Sequence, residues 1–169
     1  MKINIIHADI TTLKVDVIVN AANTSLMGGG GVDGAIHRAA GPELLKECVK
    51  IRKEKLPTGL ICGQAIVTKG YNLPAKWIIH TVAPVYGNDD INRLERCYLN
   101  CLKLAEELNA KSIAFPALGC GAYRIPIKLS ANIVKKVLEQ TKTNMQEIIL
   151  AFNKEEQLSV YQKIFTQKG

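Results

Sequence analysis

Short runs rich in Val, Ile and Ala recur along the chain and alternate with stretches whose apolar residues fall three and four apart. The runs predict strands over residues 3–7, 15–20, 64–69, 77–81, 112–116 and 147–153. Little of the period-two alternation of a strand with one wet face is present in them, so both faces are expected to be covered. The spaced stretches predict helices. Leu44, Leu45, Cys48, Val49 and Arg52 form one stripe, and Ile91, Leu94, Cys97, Tyr98, Cys101, Leu102, Ala105 and Leu108 a second. Ile133, Val134, Val137 and Leu138 form a third, and Leu158, Tyr161, Ile164 and Phe165 a last one. Gly59, Gly63, Gly70 and Pro74 punctuate the middle as turns. Strands alternating with helices predict a layered α/β architecture. With no linker, repeat or low-complexity tract, one domain over residues 1–169 is expected.

Composition narrows the class. At 169 residues, 47% hydrophobic and 22% charged, the chain can bury a real core and is neither disordered nor fibrous. No apolar run approaches the roughly 20 residues that span a bilayer. Residues 1–7 turn polar too early for a signal peptide. A cytoplasmic protein away from membranes is expected. Cys48, Cys62, Cys97, Cys101 and Cys120 are odd in number and scattered, which argues against a disulfide framework. Cys97 and Cys101 share a helix face without a histidine beside them, so packing is preferred to metal binding. The net charge of +7 suits an anionic partner. The lysines are dispersed, however, and aromatic residues are 5%, so a solvated basic surface is preferred to a nucleic-acid site.

Two loops carry chemistry. In the first, an apolar strand ends in Asn20-Ala21-Ala22-Asn23, passes Gly28-Gly29-Gly30-Gly31 and enters a helix through Val32-Asp33-Gly34. Four consecutive glycines cost conformational entropy and are poorly explained as scaffold. They let backbone N–H groups converge where a helix N-terminus adds roughly half a positive charge. That is a phosphate cradle. Gly29, Gly31 and Gly34 also match the G-x-G-x-x-G dinucleotide pattern, but no strand ending in an acid follows about 20 residues on, which disfavours a nicotinamide enzyme. No P-loop is present. The second loop, from Pro116 to Pro126, contains Gly119-Cys120-Gly121-Ala122-Tyr123-Arg124. Two such loops side by side would suit a diphosphate.

Residues 17–41, with Asp9-Ile10-Thr11 before them and Ile79-His80-Thr81-Val82-Ala83-Pro84 after them, resemble the macrodomain family. The similarity is strongest to its hydrolase branch, which acts on O-acetyl-ADP-ribose and on protein-linked mono-ADP-ribose. The resemblance implies a three-layer α/β/α sandwich around a mixed, mostly parallel six-stranded sheet, and ADP-ribose as ligand. Matched residue by residue, Asp9 would accept from the adenine amino group, with the Ile10 N–H beside it. Asn23 would contact the distal ribose and help place water. Gly30, Gly31 and Val32 would supply N–H groups to the diphosphate and distal ribose. Gly121, Ala122 and Tyr123 would close over the ligand, the Tyr123 ring against the distal ribose, with Gly119, Cys120 and Arg124 of the same loop also counted as substrate-binding. Asn23 and Asp33 would be the catalytic pair, with no metal, cofactor or Cys or His nucleophile implied.

Read without the resemblance, Asp9 is a turn or cap residue and Asp33 a first-turn acid favoured by the helix dipole. That dipole should lower the Asp33 pKa and make it a weak base, so Asp33 is expected to position water while a substrate phosphate shares the proton transfer. Asn20 is expected to brace the loop through backbone hydrogen bonds. His7 and His80 are expected to be packed core or loop residues, and His37 to face away from the crevice.

The chain departs from the family pattern at four places. Ala8 stands where a glycine is common, Gly119-Cys120 replaces Ser-Thr, and Arg124 replaces a glycine. At the last strand's end, where relatives place an aromatic ring on adenine, the chain offers Asn153 after Phe152; alternation allows only one of them to face the pocket. The expected activity is hydrolysis of ADP-ribosyl esters by a monomer. The alternatives are a non-enzymatic ADP-ribose reader and, less favoured, an RNA-associated regulator.

Overall fold

The computed structural model describes residues 1–167. Strands β1 (Lys2–His7), β2 (Val17–Ala21), β3 (Ala65–Lys69), β4 (Trp77–Thr81), β5 (Ser112–Phe115) and β6 (Glu147–Phe152) form one sheet, in the order β1-β6-β5-β2-β4-β3. Every neighbouring pair is parallel except β3 with β4. The helices are α1 (Gly31–Ala40), α2 (Pro42–Glu54), α3 (Asn92–Glu107), α4 (Ile127–Gln140) and α5 (Glu155–Thr166). Among the described residues no helix is long and apolar enough to cross a membrane.

Strand alternation builds the layers. Along β6, Ile148, Leu150 and Phe152 join an apolar cluster with Cys97 of α3, Val134 of α4 and Tyr161 of α5. Ile149 and Ala151 point the other way, into a cluster with Ile36 of α1 and Leu44 of α2. In β2, Val17 and Val19 face the first cluster and Ile18 the second. Apolar side chains on both faces explain the near-continuous hydrophobic runs. The result is a three-layer α/β/α sandwich with a mixed, mostly parallel six-stranded sheet, as expected from the sequence.

Two local expectations need adjustment. β2 begins at Val17, two residues later than anticipated. The buried stripe of α2 is Leu44, Cys48 and Ile51, while Leu45 is exposed. Spacings of four and three keep 44, 48 and 51 on one face of a 3.6-residue turn, and Leu45 lies about 100° away from it. Between α1 and α2, Gly41 takes φ +91°, where an L side chain would be strained, and Pro42 starts the next helix.

Topology then places the chemistry. β2 leads into α1 on one face of the sheet, and its neighbour β5 leads into α4 on the other. A crevice opens outside the carboxyl ends of strands where the chain switches faces in this way. The loops after β1, β2, β5 and β6 meet there.

Candidate functional site

The crevice has two lobes, of about 350 and about 340 Å3. One lies between Asp9, Ile10, Ala151, Asn153 and Gln157. The other lies between Asn23, Asp33, Ala83, Gly119, Ala122 and Tyr123. Gly31, Val32, Ala117 and Gly121 border both and form the waist. Gly30 caps α1 without a side-chain hydrogen bond, so the first N–H groups of the helix have no partner within it and open onto this waist. An elongated ligand with a negative centre and two larger ends matches that shape and charge.

Gly34 keeps the cradle close to its helix. A Cβ built there would lie 2.5 Å from the Gly29 carbonyl oxygen and 3.1 Å from Nη1 of Arg38. Gly34→Ala is therefore expected to push the glycine loop off α1 and to cost roughly 1–3 kcal/mol, read as a lower urea midpoint with an unchanged m-value.

Asp33, in the first turn of α1, is buried at 5% exposure. Asn20 Nδ2 donates to its Oδ1 at 2.8 Å, and His37 Nε2 lies 3.5 Å from the same oxygen. Burial raises the Asp33 pKa above its ordinary 3.8, against the lowering effects of the Asn20 hydrogen bond and of His37. The expectation of a depressed pKa is thus corrected: desolvation outweighs the favourable groups around the carboxylate. The second oxygen, Oδ2, points toward the loop. A Cβ on Gly29 would sit 3.2 Å from Asp33 Oδ2 and 3.3 Å from Asn23 Nδ2. Acid and amide converge on one small space, and glycine leaves it open.

Asn23 also builds the loop. Its Nδ2 donates to the Gly28 carbonyl at 3.0 Å, and its Oδ1 accepts from Ser25 N at 3.1 Å and Ser25 Oγ at 2.5 Å. Arg52 of α2 holds the same loop from behind, donating to Ser25 O at 2.7 Å and Leu56 O at 2.9 Å.

Asn20 does not brace the loop through backbone hydrogen bonds, as anticipated. The residue is fully buried, and its Nδ2 bridges Asp33 and His80 Nδ1, the latter at 3.0 Å. Its Oδ1 is the single buried side-chain nitrogen or oxygen without a partner among the described residues. Such an orphan acceptor costs about 1–3 kcal/mol and calls for an explanation.

The remaining positions fall as follows. Asp9 caps a short 3-10 turn (Ile10–Thr12), its Oδ1 accepting from Thr11 N and Oγ1 at 3.0 and 2.7 Å, and it also lines the first lobe. The cap and ligand readings are compatible. Phe152 turns away into the core, its ring centroid 4.5 Å from that of Tyr161. Phe152 and Asn153 both border the first lobe, and with the Phe152 ring buried it is the exposed Asn153 that makes the rim there polar. Tyr123 lines the second lobe. Cys120 and Arg124 border neither lobe, unlike their loop neighbours. Cys120 packs against the core under α4, where burial raises its thiol pKa, and Arg124 is exposed at φ +63°. His80 is buried as anticipated, while the His7 side chain is half exposed. His37 borders neither lobe, but it is not remote from the chemistry because it touches Asp33 from behind.

Comparison with known proteins agrees with this geometry. The family model for the Macro domain matches residues 19–134, which include both glycine loops. The chain is 47% identical to an O-acetyl-ADP-ribose deacetylase of Escherichia fergusonii, over 99% of this chain and 97% of that protein. Its fold superposes on an Oceanobacillus iheyensis macrodomain solved with ADP, at TM-score 0.92 and 41% identity, covering 95% of this chain and 87% of that one. A Trypanosoma brucei macrodomain in complex with ADP-ribose matches at TM-score 0.85 and 38% identity, covering 95% and 68%. With the fold, the two glycine loops and these relatives in agreement, the chain belongs to the Macro domain family.

Proposed function

We propose that this protein is an ADP-ribose-binding hydrolase that cleaves O-acetyl-ADP-ribose and removes ester-linked mono-ADP-ribose from Asp and Glu side chains, acting as a cytoplasmic monomer. The adenine end of the ligand lies in the lobe of Asp9, Ile10 and Asn153, and the diphosphate on the N–H groups of Gly31 and Val32. The distal ribose, which carries the ester, lies in the lobe of Asn23, Asp33 and Tyr123. The observation that carries the reading is the convergence of Asp33 Oδ2 and Asn23 Nδ2 beside Gly29. A water held there attacks the ester carbonyl, and the C–O bond to the ribose oxygen breaks. The raised pKa of Asp33 makes its carboxylate a more capable proton acceptor than an ordinary one. Asp33 orients the water and takes its proton, a substrate phosphate shares the transfer, and the ribose oxygen leaves protonated. Backbone N–H groups meet the developing oxyanion.

The test is a panel of ADP-ribosyl linkages. Release is expected from acetyl and glutamyl esters and not from the arginine N-glycosidic bond. Asn23→Ala is expected to lower kcat by about a hundredfold or more. Because Asn23 also orders residues 23–28, KM should rise as well, within about tenfold, or roughly 1.4 kcal/mol. Tight ADP-ribose binding with no ester release would instead establish a reader module.

A further inference from the structure

Three polar side chains lie in a row across otherwise apolar strands, on the face that α1 and α2 cover. Asn20 of β2 is paired in register with His80 of β4, and Thr68 of β3 sits diagonally from His80. Their exposures are 0, 1 and 2%. Thr68 Oγ1 lies 2.9 Å from His80 Nε2, His80 Nδ1 lies 3.0 Å from Asn20 Nδ2, and Asn20 Nδ2 lies 2.8 Å from Asp33 Oδ1. At the far end, Thr68 Oγ1 is 3.2 Å from the Lys69 carbonyl. A carbonyl only accepts.

The direction of every hydrogen bond follows from the two ends. Asp33 as a carboxylate needs a donor, so Asn20 must present its NH2 group. The second N–H of that group points at His80 Nδ1, which must therefore be the bare, accepting nitrogen. The proton of the neutral ring is then on Nε2 and is given to Thr68, whose own proton goes to Lys69 O. No other arrangement satisfies all four contacts. The Asn20 amide does not turn over while Nδ1 is bare, because its oxygen would then face an acceptor on each side, the carboxylate and the imidazole nitrogen. This accounts for the orphan Asn20 Oδ1: it faces nothing so that both N–H groups are engaged.

We propose that His80 and Thr68 are positioning residues for the hydrolytic site. They lock the Asn20 amide so that Asp33 Oδ1 is permanently engaged and Oδ2 alone is left to the water beside Asn23. The inference rests on the hydrolase reading for its catalytic consequence, but the locked proton order stands on the geometry. The ionisable groups around Asp33 are His37 on α1, Cys48 on α2, His80 on β4 and Tyr123 from the second loop. Arg38 lies alongside Gly34. None of the others holds the Asn20 amide.

Thr68→Val tests the lock, since valine keeps the β-branched shape and removes the hydroxyl. The His80 Nε2–H then has no acceptor, the Nδ1–H form gains, and the Asn20 amide turns its oxygen toward Asp33. Expected are a kcat lower by about tenfold, with KM and the ADP-ribose Kd within about twofold. The Asp33 side-chain carboxyl carbon, followed by NMR, should titrate at higher pH than in the wild type, because its donor is lost. Thr68→Ser should restore both readouts. Imidazole 15N shifts of the wild-type protein should show the Nε2–H form of His80, a measurement that depends on no variant. The Nδ1–H form in the wild type would overturn the proposal. So would a Thr68→Val protein with unchanged kcat and unchanged Asp33 titration. A wild-type protein that releases no ester would sink the hydrolase reading alone, and the carboxyl titration would still decide the lock.

Discussion

Asp33→Asn is expected to lower ester release by at least about a hundredfold, to leave ADP-ribose binding within about tenfold, and to make the protein more stable at neutral pH. The first effect follows from removing the one carboxylate, among the described residues, that reaches the space beside Gly29 and Asn23. The third is less intuitive and more diagnostic. Burial raises the folded-state pKa of Asp33 above 3.8, so the native chain holds this proton more tightly than the unfolded one. Stability therefore falls as pH rises from 3.8 to the raised value, and the penalty is complete above it. Asparagine removes the charge and keeps an oxygen to accept from Asn20. Thermal unfolding should show a higher midpoint for the variant near pH 7 and a shrinking difference on acidification. A variant less stable than the wild type at neutral pH would mean that the carboxylate is held favourably. The water-activating role would then lose its physical basis. In the wild type, the acidic limb of the kcat profile should lie above the ordinary aspartate value of 3.8, since activity needs the ionised form.

The layered fold was legible because both faces of each central strand are covered by apolar residues, and that burial is written into residues 17–19 and 148–152 as unbroken hydrophobic runs. The glycine loops were legible because four glycines before a helix have few purposes other than approach to an anion. What escaped was the polar row behind the acid. Asn20, Thr68 and His80 are far apart in sequence, and only the pairing of β3, β4 and β2 brings them together. One signal was present: each interrupts an apolar strand on the same alternating face, and a buried polar group must find a partner. The sign of the Asp33 shift was misjudged for a related reason. A helix N-terminus is visible in sequence, whereas the apolar shell that desolvates the carboxylate is a property of packing. Cys120 shows the limit of motif matching: it occupies a matched loop, yet its side chain packs against the core under α4. The choice between Phe152 and Asn153 needed only the strand's parity, which Ile149 and Ala151 fix.

Mild acid is expected to weaken the fold mainly through His80. This ring is buried and its pKa is pushed down from 6.5 to about 3, first by burial and second by the nearby His37. A depressed histidine pKa means that the unfolded chain binds a proton which the native chain refuses. The associated stability is complete above pH 6.5 and is lost as pH falls toward 3. The slope is roughly 1.4 kcal/mol per pH unit for one such group. Asp33 acts with the opposite sign between 3.8 and its raised pKa, so it offsets part of the loss at the acidic end. Urea unfolding at a series of pH values measures the slope, with a constant m-value as the check that the transition keeps its character. His80→Gln removes the titrating ring. Whatever its stability at neutral pH, its dependence on pH between about 6 and 4.5 should be shallower than the wild type's by close to one proton per molecule. Equal slopes would show that the buried imidazole accepts its proton in the folded state, and the polar row beneath Asp33 could not then hold the fixed order that keeps Oδ2 free.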